Sequence, residues 1–256
     1  MFVEPIKIAP ELFLRFNSMK GIISLVLVCL MLHFNLLNAQ NSYSAKELLE
    51  HTLEIYGADP LLSSGILYYP DHQIAHGHPW LLTEDWQTGT IYASGREYIN
   101  QEIKYDLISN GLILRTLYNN SNYAEIVLNQ AVVDSCKTGT VTFINGKYLP
   151  SGPIEMHFPG ISTLNGDTII SGYNKRYLPT YYDAPPYGKY TTTSRSVFLL
   201  KKGEYTDITR RRDLLYTFSE NKKAIKKEIK KTGRRYESLS PREILQIIQS
   251  VNQIKQ

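Results

Sequence analysis

The stretch EIKYDLISNGLILRTLY, Glu102–Tyr118, decides the fold class. Ile103, Tyr105 and Leu107 alternate with Glu102, Lys104 and Asp106, which is the period of a strand with one dry face. Asn110-Gly111 then supplies two residues that tolerate positive φ at a tight turn, so the segment predicts a β-hairpin. Similar turn signals stand on either side, at Ser94-Gly95, Asn145-Gly146, Asn165-Gly166 and Lys202-Gly203, with strand-like runs between them. From about Ile66 to Ile208 this spacing predicts an antiparallel meander, one face wet and one dry. No repeat of fixed length occurs, which argues against a propeller or solenoid. The 19 tyrosines suit half-buried pleated surfaces and strengthen the β reading.

Helical periodicity is found at the two ends. Ser44 and Glu47 form a capping box ahead of Leu48, Leu49, Leu53 and Tyr56 on one face, and Gly57 ends that turn. Near the C-terminus, Leu214, Leu215, Phe218, Ile225 and Ile229 make an apolar stripe through a lysine-rich segment that Gly233 stops. A second helix opens with Ser240, Pro241 and Glu243 and buries Ile244, Ile247, Ile248, Val251 and Ile254. The expected fold is α+β and mainly β: an antiparallel twisted sheet or partly open barrel, a short N-terminal helix and two C-terminal amphipathic helices.

A chain of 256 residues with 43% hydrophobic and 20% charged residues can bury a core. Its first forty residues stand apart. From Met19, one lysine, an apolar run from Ile22 to Leu32 and a polar exit ending at Ala39 have the layout of a secretory leader, too short to span a bilayer comfortably. The chain thus divides into 1–18, an upstream extension given no structural role; 19–39, a signal peptide; 40–208, the β-rich body with its N-terminal helix; and 209–256, a helical segment packed on the same domain. With Cys29 in the leader, Cys136 is alone in the exported chain, cannot form an internal disulfide, and reads as a small core residue.

The charge is uneven. Residues 201–256 hold 15 Lys or Arg against 7 Asp or Glu, about +8, whereas residues 40–200 hold 10 against 15, about −5. Arg210, Arg211 and Arg212 adjoin Lys222, Lys223, Lys226, Lys227, Lys230 and Lys231, which are spaced for the wet side of a helix. An exported protein meets anions as lipid headgroups, lipopolysaccharide or acidic protein patches, so an envelope protein or anionic lipid surface is the expected partner. A solvated helix face balancing a negative body is the other reading. Nucleic acid is not expected, because aromatics placed to stack bases are missing.

Two further candidates are local. His72, His76 and His78 crowd one loop, and with Asp71 they could ligate zinc or copper. But Gly77 and Pro79 break any helix there, and Gln73 stands where a zinc protease places its glutamate, so the loop reads mainly as a lead-in carrying Pro79 and Trp80 to the core. YLPTYYDAPPYGKY, Tyr177–Tyr190, carries three prolines that exclude a central strand, and Tyr181, Tyr182, Tyr187 and Tyr190 offer a stiff contact surface for peptide or sugar. Serine-elbow, phosphate-loop and dinucleotide motifs do not occur, and Glu84-Asp85 are adjacent and so point to opposite faces of a strand.

In order, GHPW (Gly77–Trp80), the run Asp85–Arg115, VVDS (Val132–Ser135) and the run Val197–Lys231 resemble a widespread, functionally uncharacterised family of exported proteins of the Bacteroidota. The most specific pieces are the YDL-turn-LILR hairpin and the ending of short strand, basic turn and lysine-rich helix. The resemblance implies export to the periplasm or outer envelope, a β-rich body and a helical C-terminus. It transfers no catalytic residue. One departure is Cys136, where similar chains carry an aromatic after VDS.

These readings converge on an exported cell-envelope binding or interaction protein with no reaction centre and no cofactor. The alternatives are a periplasmic carrier of a lipid or other apolar ligand, and a metal-dependent hydrolase built on the His72/His76/His78 loop. No transmembrane span is expected in the exported chain.

Overall fold

The computed structural model describes residues 59–72, 74–118, 122–180 and 184–253. The leader-like segment 19–39, the helix expected over Ser44–Tyr56, Tyr181, Tyr182 and Ile254 lie outside the described residues. A four-residue helix, α1 (Pro60–Ser63), opens the described chain; Asp59 caps it by accepting from the Leu61 amide at 2.8 Å. Eleven strands then form one antiparallel sheet: β1 (Ile66–Leu67), β2 (Gln87–Ala93), β3 (Arg96–Asp106), β4 (Gly111–Tyr118), β5 (Asn122–Val127), β6 (Val133–Thr138), β7 (Val141–Ile144), β8 (Gly160–Leu164), β9 (Asp167–Asn174), β12 (Ser194–Lys201) and β13 (Glu204–Asp207). A separate hairpin, β10 (Tyr177–Pro179) with β11 (Gly188–Tyr190), rises between β9 and β12.

The strand order is β1-β5-β4-β3-β2-β6-β7-β8-β9-β12-β13. It differs from one continuous meander: β2 to β5 step outward in one direction, and β6 returns beside β2 to start a second run the other way. The return is made by only five residues, 128–132, although β5 and β6 stand four strand spacings apart, about 19 Å on a flat sheet. Those five residues are not extended, since the Val132 and Val133 amides both donate back to the Asn129 carbonyl. Such a link closes only if the sheet curls. Tyr105 on β3 and Phe143 on β7 give the same result, with ring centroids 5.6 Å apart across three strand spacings. The edges β1 and β13 do not pair, so the sheet is strongly curled yet open.

Three of the expected turns are two-residue hairpins with both central residues at positive φ: Ser94-Gly95 (49° and 76°), Asn165-Gly166 (45° and 86°) and Lys202-Gly203 (52° and 84°). This backbone matches the twist of the flanking strands. The turn between β3 and β4 is longer, because Asp106 pairs with Gly111; only Asn110 is left-handed, and Asp106 accepts from the Ile108 and Ser109 amides. Asn145-Gly146 makes no hairpin. Asn145 is buried and opens a short 3-10 turn, its amide nitrogen donating to the Gln130 and Val133 carbonyls.

One face of the sheet carries two apolar clusters. The curled half packs Ile91, Ile103, Leu112, Leu114, Cys136, Phe143 and Phe158 among its own strands, with Leu62 and Leu81 inserted from the preceding segment. Cys136 is fully buried, and burial pushes its thiol up to about 12. The other half of the sheet is covered by helices. α4 (Pro241–Gln253) lies on β8 and β9, and the Ser240–Glu243 capping box forms as expected, with the Ser240 amide donating to Glu243 at 2.6 Å. The lysine-rich segment is divided into α2 (Arg211–Thr217) and α3 (Lys222–Lys231), so the C-terminal region has three helices where periodicity predicted two. Phe218 leaves helical geometry at φ −111°, ψ 49°, and Ser219–Asn221 form a 3-10 turn in which the Ser219 and Asn221 side chains compete with helix. Gly233, at φ 66°, follows α3 as the pattern requires.

Candidate functional site

The basic segment forms the outer layer of the helical half. Ile225 and Ile229, four residues apart on α3, point into the core cluster shared with Leu214, Leu215 and Ile248. Lys222, Lys223, Lys226, Lys227, Lys230 and Lys231 are therefore all exposed. Lys231 pairs with Glu228 at 2.7 Å; the other five have no carboxylate partner among the described residues. Arg212 pairs with its neighbour Asp213, while the Arg210 and Arg211 guanidinium groups form no ion pair among the described residues.

Much of this charge arrangement works against the helix that carries it, although Lys230 and Lys231 suit its C-terminal end. The first turn of α3 holds Lys222 and Lys223 and no acid, the wrong sign for a helix N-terminus. Lys222/Lys226, Lys223/Lys227, Lys226/Lys230 and Lys227/Lys231 are like-charged pairs at i,i+4, each destabilising by about 0.2–0.5 kcal/mol. Buried isoleucines hold the helix down while its outer face repels itself, and an anionic partner would relieve that repulsion.

The histidines are placed elsewhere and apart from one another. Residues 74–76 run beside β11: the His76 amide donates to the Gly188 carbonyl and the Tyr190 amide donates to the His76 carbonyl, each at 2.9 Å. The His72 ring stacks on Tyr177 at 3.5 Å, His76 is exposed, and His78 is half-buried. Among the described residues no group of three or more His, Cys, Asp or Glu is placed to hold a metal ion. The segment then delivers Pro79 and Trp80 to the sheet, where Leu81 donates to Tyr105 and Leu107 donates to Pro79, extending the line of β2 along β3. Of the tyrosine surface, Tyr187 is exposed, while Tyr190 is half-buried against Tyr177 and donates to the His72 carbonyl.

Sequence patterns did not single out the groups that fasten this segment. Lys175, buried beyond the end of β9, donates to the His78 carbonyl at 2.7 Å and the Trp80 carbonyl at 2.9 Å. Burial lowers its pKa, against the opposing charge of Asp106. Tyr68 donates to buried Asp106 at 2.7 Å, and burial with that hydrogen bond pushes the phenol upward. Over the outer face of β3 to β5, cations and rings alternate: Lys104 lies over Trp80 and Trp86, and Arg115 over Trp86 and Tyr123. These contacts span residues far apart in the chain, so no local motif announces them.

A polar groove of about 380 Å³ opens between the 153–156 segment and the ends of β9 and β12. Much of its polar lining is already engaged: Asn110 with Tyr105 and the Glu155 carbonyl, Ser194 with the Asn174 carbonyl, and Arg195 with the Glu237 and Leu239 carbonyls. Comparison with known proteins finds no matching family model, curated protein or solved structure. Among the described residues no helix is long and apolar enough to cross a membrane.

Proposed function

We propose that this is an exported cell-envelope binding protein, whose working surface is the cationic outer face of α2 and α3 and whose partner is an anionic envelope surface. The observation that carries the reading is the row of five exposed lysines on α3 without a carboxylate partner among the described residues, on a helix whose stability the row diminishes. The leader-like sequence of residues 19–39 and the resemblance to exported proteins supply the compartment. A binding role is favoured over the carrier reading because the concave side of the curl, where an apolar ligand would sit, is filled by Tyr105, Phe143 and Phe158. The hydrolase reading lacks its ligand set, as the three histidines face different surroundings.

The test is sedimentation of the exported protein with envelope fragments from its own cells over a range of salt. Each lysine close to an anionic surface contributes about 1 kcal/mol, so Lys226→Glu with Lys230→Glu should weaken binding by at least about thirtyfold, and added salt should weaken the parent protein similarly. Binding indifferent to both charge reversal and salt contradicts the proposal.

A further inference from the structure

The cationic face carries one side chain that charge attraction does not explain. Tyr216 on α2 is 86% exposed, the highest exposure among the large apolar side chains of the described chain. It follows Arg212 by four residues, one helical turn, so ring and guanidinium are neighbours on the same surface. On the opposite side of the same short helix, Leu214 and Leu215 are buried in the cluster that also receives Ile225 and Ile229 of α3. Tyr216 therefore points away from the core that α2 and α3 share, as the lysines do. No hydrogen bond or ring contact holds it among the described residues.

We propose that the anionic partner is a phospholipid bilayer, and that Tyr216 enters its headgroup layer while the lysines and arginines contact lipid phosphates. The inference rests on the cationic face being the binding surface and adds what that face binds. A soluble polyanion or an acidic protein patch is satisfied by ammonium and guanidinium groups and gives an isolated, solvated ring nothing apolar to enter. A bilayer boundary gives it both phases: the ring sheds water among the upper acyl carbons, and the hydroxyl stays with the headgroups. The apolar faces of α2 and α3 are spent on the core, so the ring and the cations beside it are what these helices can offer a bilayer, the ring at the headgroup level and the cations to lipid phosphates.

The experiment compares the exported protein with Tyr216→Ala, Tyr216→Phe and the Lys226→Glu/Lys230→Glu pair, on vesicles of phosphatidylcholine containing phosphatidylglycerol and, separately, on soluble dextran sulfate. Tyr216→Ala should weaken vesicle binding on the order of fivefold, from the apolar area it withdraws, and leave dextran sulfate binding unchanged. Tyr216→Phe should keep most of the vesicle affinity. The lysine pair should weaken both. Thermal unfolding of Tyr216→Ala should match the parent, since the ring packs on nothing described. If Tyr216→Ala leaves vesicle binding intact, or weakens both ligands equally, the bilayer assignment is overturned while the cationic face stands. Should the lysine pair affect neither ligand, the cationic face itself fails.

Discussion

The two halves of the sheet bury the same kind of surface by different means. From β8 to β13 the apolar face is covered by helices, whose isoleucines and leucines recur at helical spacing, and the outer face of α3 carries six exposed lysines. From β2 to β7 the sheet curls over itself, and the cover is made of its own aromatics plus irregular segments fastened by a few long-range hydrogen bonds. The first arrangement leaves a surface free to work. The second uses its polar and aromatic side chains to hold itself shut, with Lys104 and Arg115 lying over Trp80, Trp86 and Tyr123. We read the curled half as scaffold and the helical half as the working side.

The comparison can be broken most directly in the curled half. Phe158 is fully buried where the 153–158 segment meets β3, and its amide donates to the Tyr105 hydroxyl. Phe158→Ala should destabilise the fold by about 3–5 kcal/mol in urea unfolding, because the curled sheet cannot collapse onto the cavity. Ile248→Ala on α4, packed beneath a helix that can shift, should fall at or below that range. A milder Phe158 variant than Ile248 variant would reverse the assignment of rigidity.

Next in size is Lys175→Met. It keeps the volume but leaves the His78 and Trp80 carbonyls without their donor, and should destabilise by about 1–3 kcal/mol. Amide exchange should quicken at Leu81 and Leu107, whose backbone bonds depend on the seating of residues 79–81, and not in α3 or α4. Uniform acceleration would mean that the fastening is not local.

These two sites also mark the limit of what the amino-acid order reveals. The hairpins at Ser94-Gly95, Asn165-Gly166 and Lys202-Gly203 are legible because each needs only its own two residues in left-handed geometry. Asn145-Gly146 looks the same in sequence, yet Asn145 is claimed by carbonyls 12 and 15 residues earlier and turns inward. The curl depends on the compact 128–132 return, and the histidine loop on Lys175, 97 residues from His78; neither leaves a periodic trace. The cationic face was legible because it needs only the phase of Ile225 and Ile229 and the identity of the residues between them. Tyr216 was not, since a tyrosine next to Leu214 and Leu215 reads as part of an apolar run until its exposure is known.

A pH measurement sharpens the same contrast. His78 is held below the ordinary histidine pKa of 6.5, first by burial and then by the charge of Lys175, with Lys104 adding to this and Glu84 opposing it. The unfolded chain accepts the proton more readily than the folded one. Stability from this residue is therefore full above the ordinary histidine range and is lost as pH falls through about 6.5 towards the lower folded value. Urea midpoints measured across that window should decline in the parent and decline less in His78→Gln. Parallel curves would remove His78 from the account.

The smallest effect has the opposite sign. Lys226→Glu replaces two repulsive i,i+4 pairs with attractive ones, to Lys222 and Lys230, and at about 0.2–0.5 kcal/mol for each repulsion lost and each attraction gained should stabilise the protein by about 1 kcal/mol, while weakening binding to anionic vesicles. A helix face kept for binding shows this exchange of stability for affinity. A face kept only for solubility would gain stability and lose nothing.

The most direct test of the division between scaffold and working side is a hydrogen-exchange footprint of residues 40–256 with and without phosphatidylglycerol-containing vesicles. Residues 211–231 should exchange more slowly when vesicles are present, while β3, β4 and the β10–β11 hairpin remain unchanged. Slowing confined to the Trp80–Tyr123 surface or to the tyrosine hairpin, with 211–231 unaffected, would contradict it.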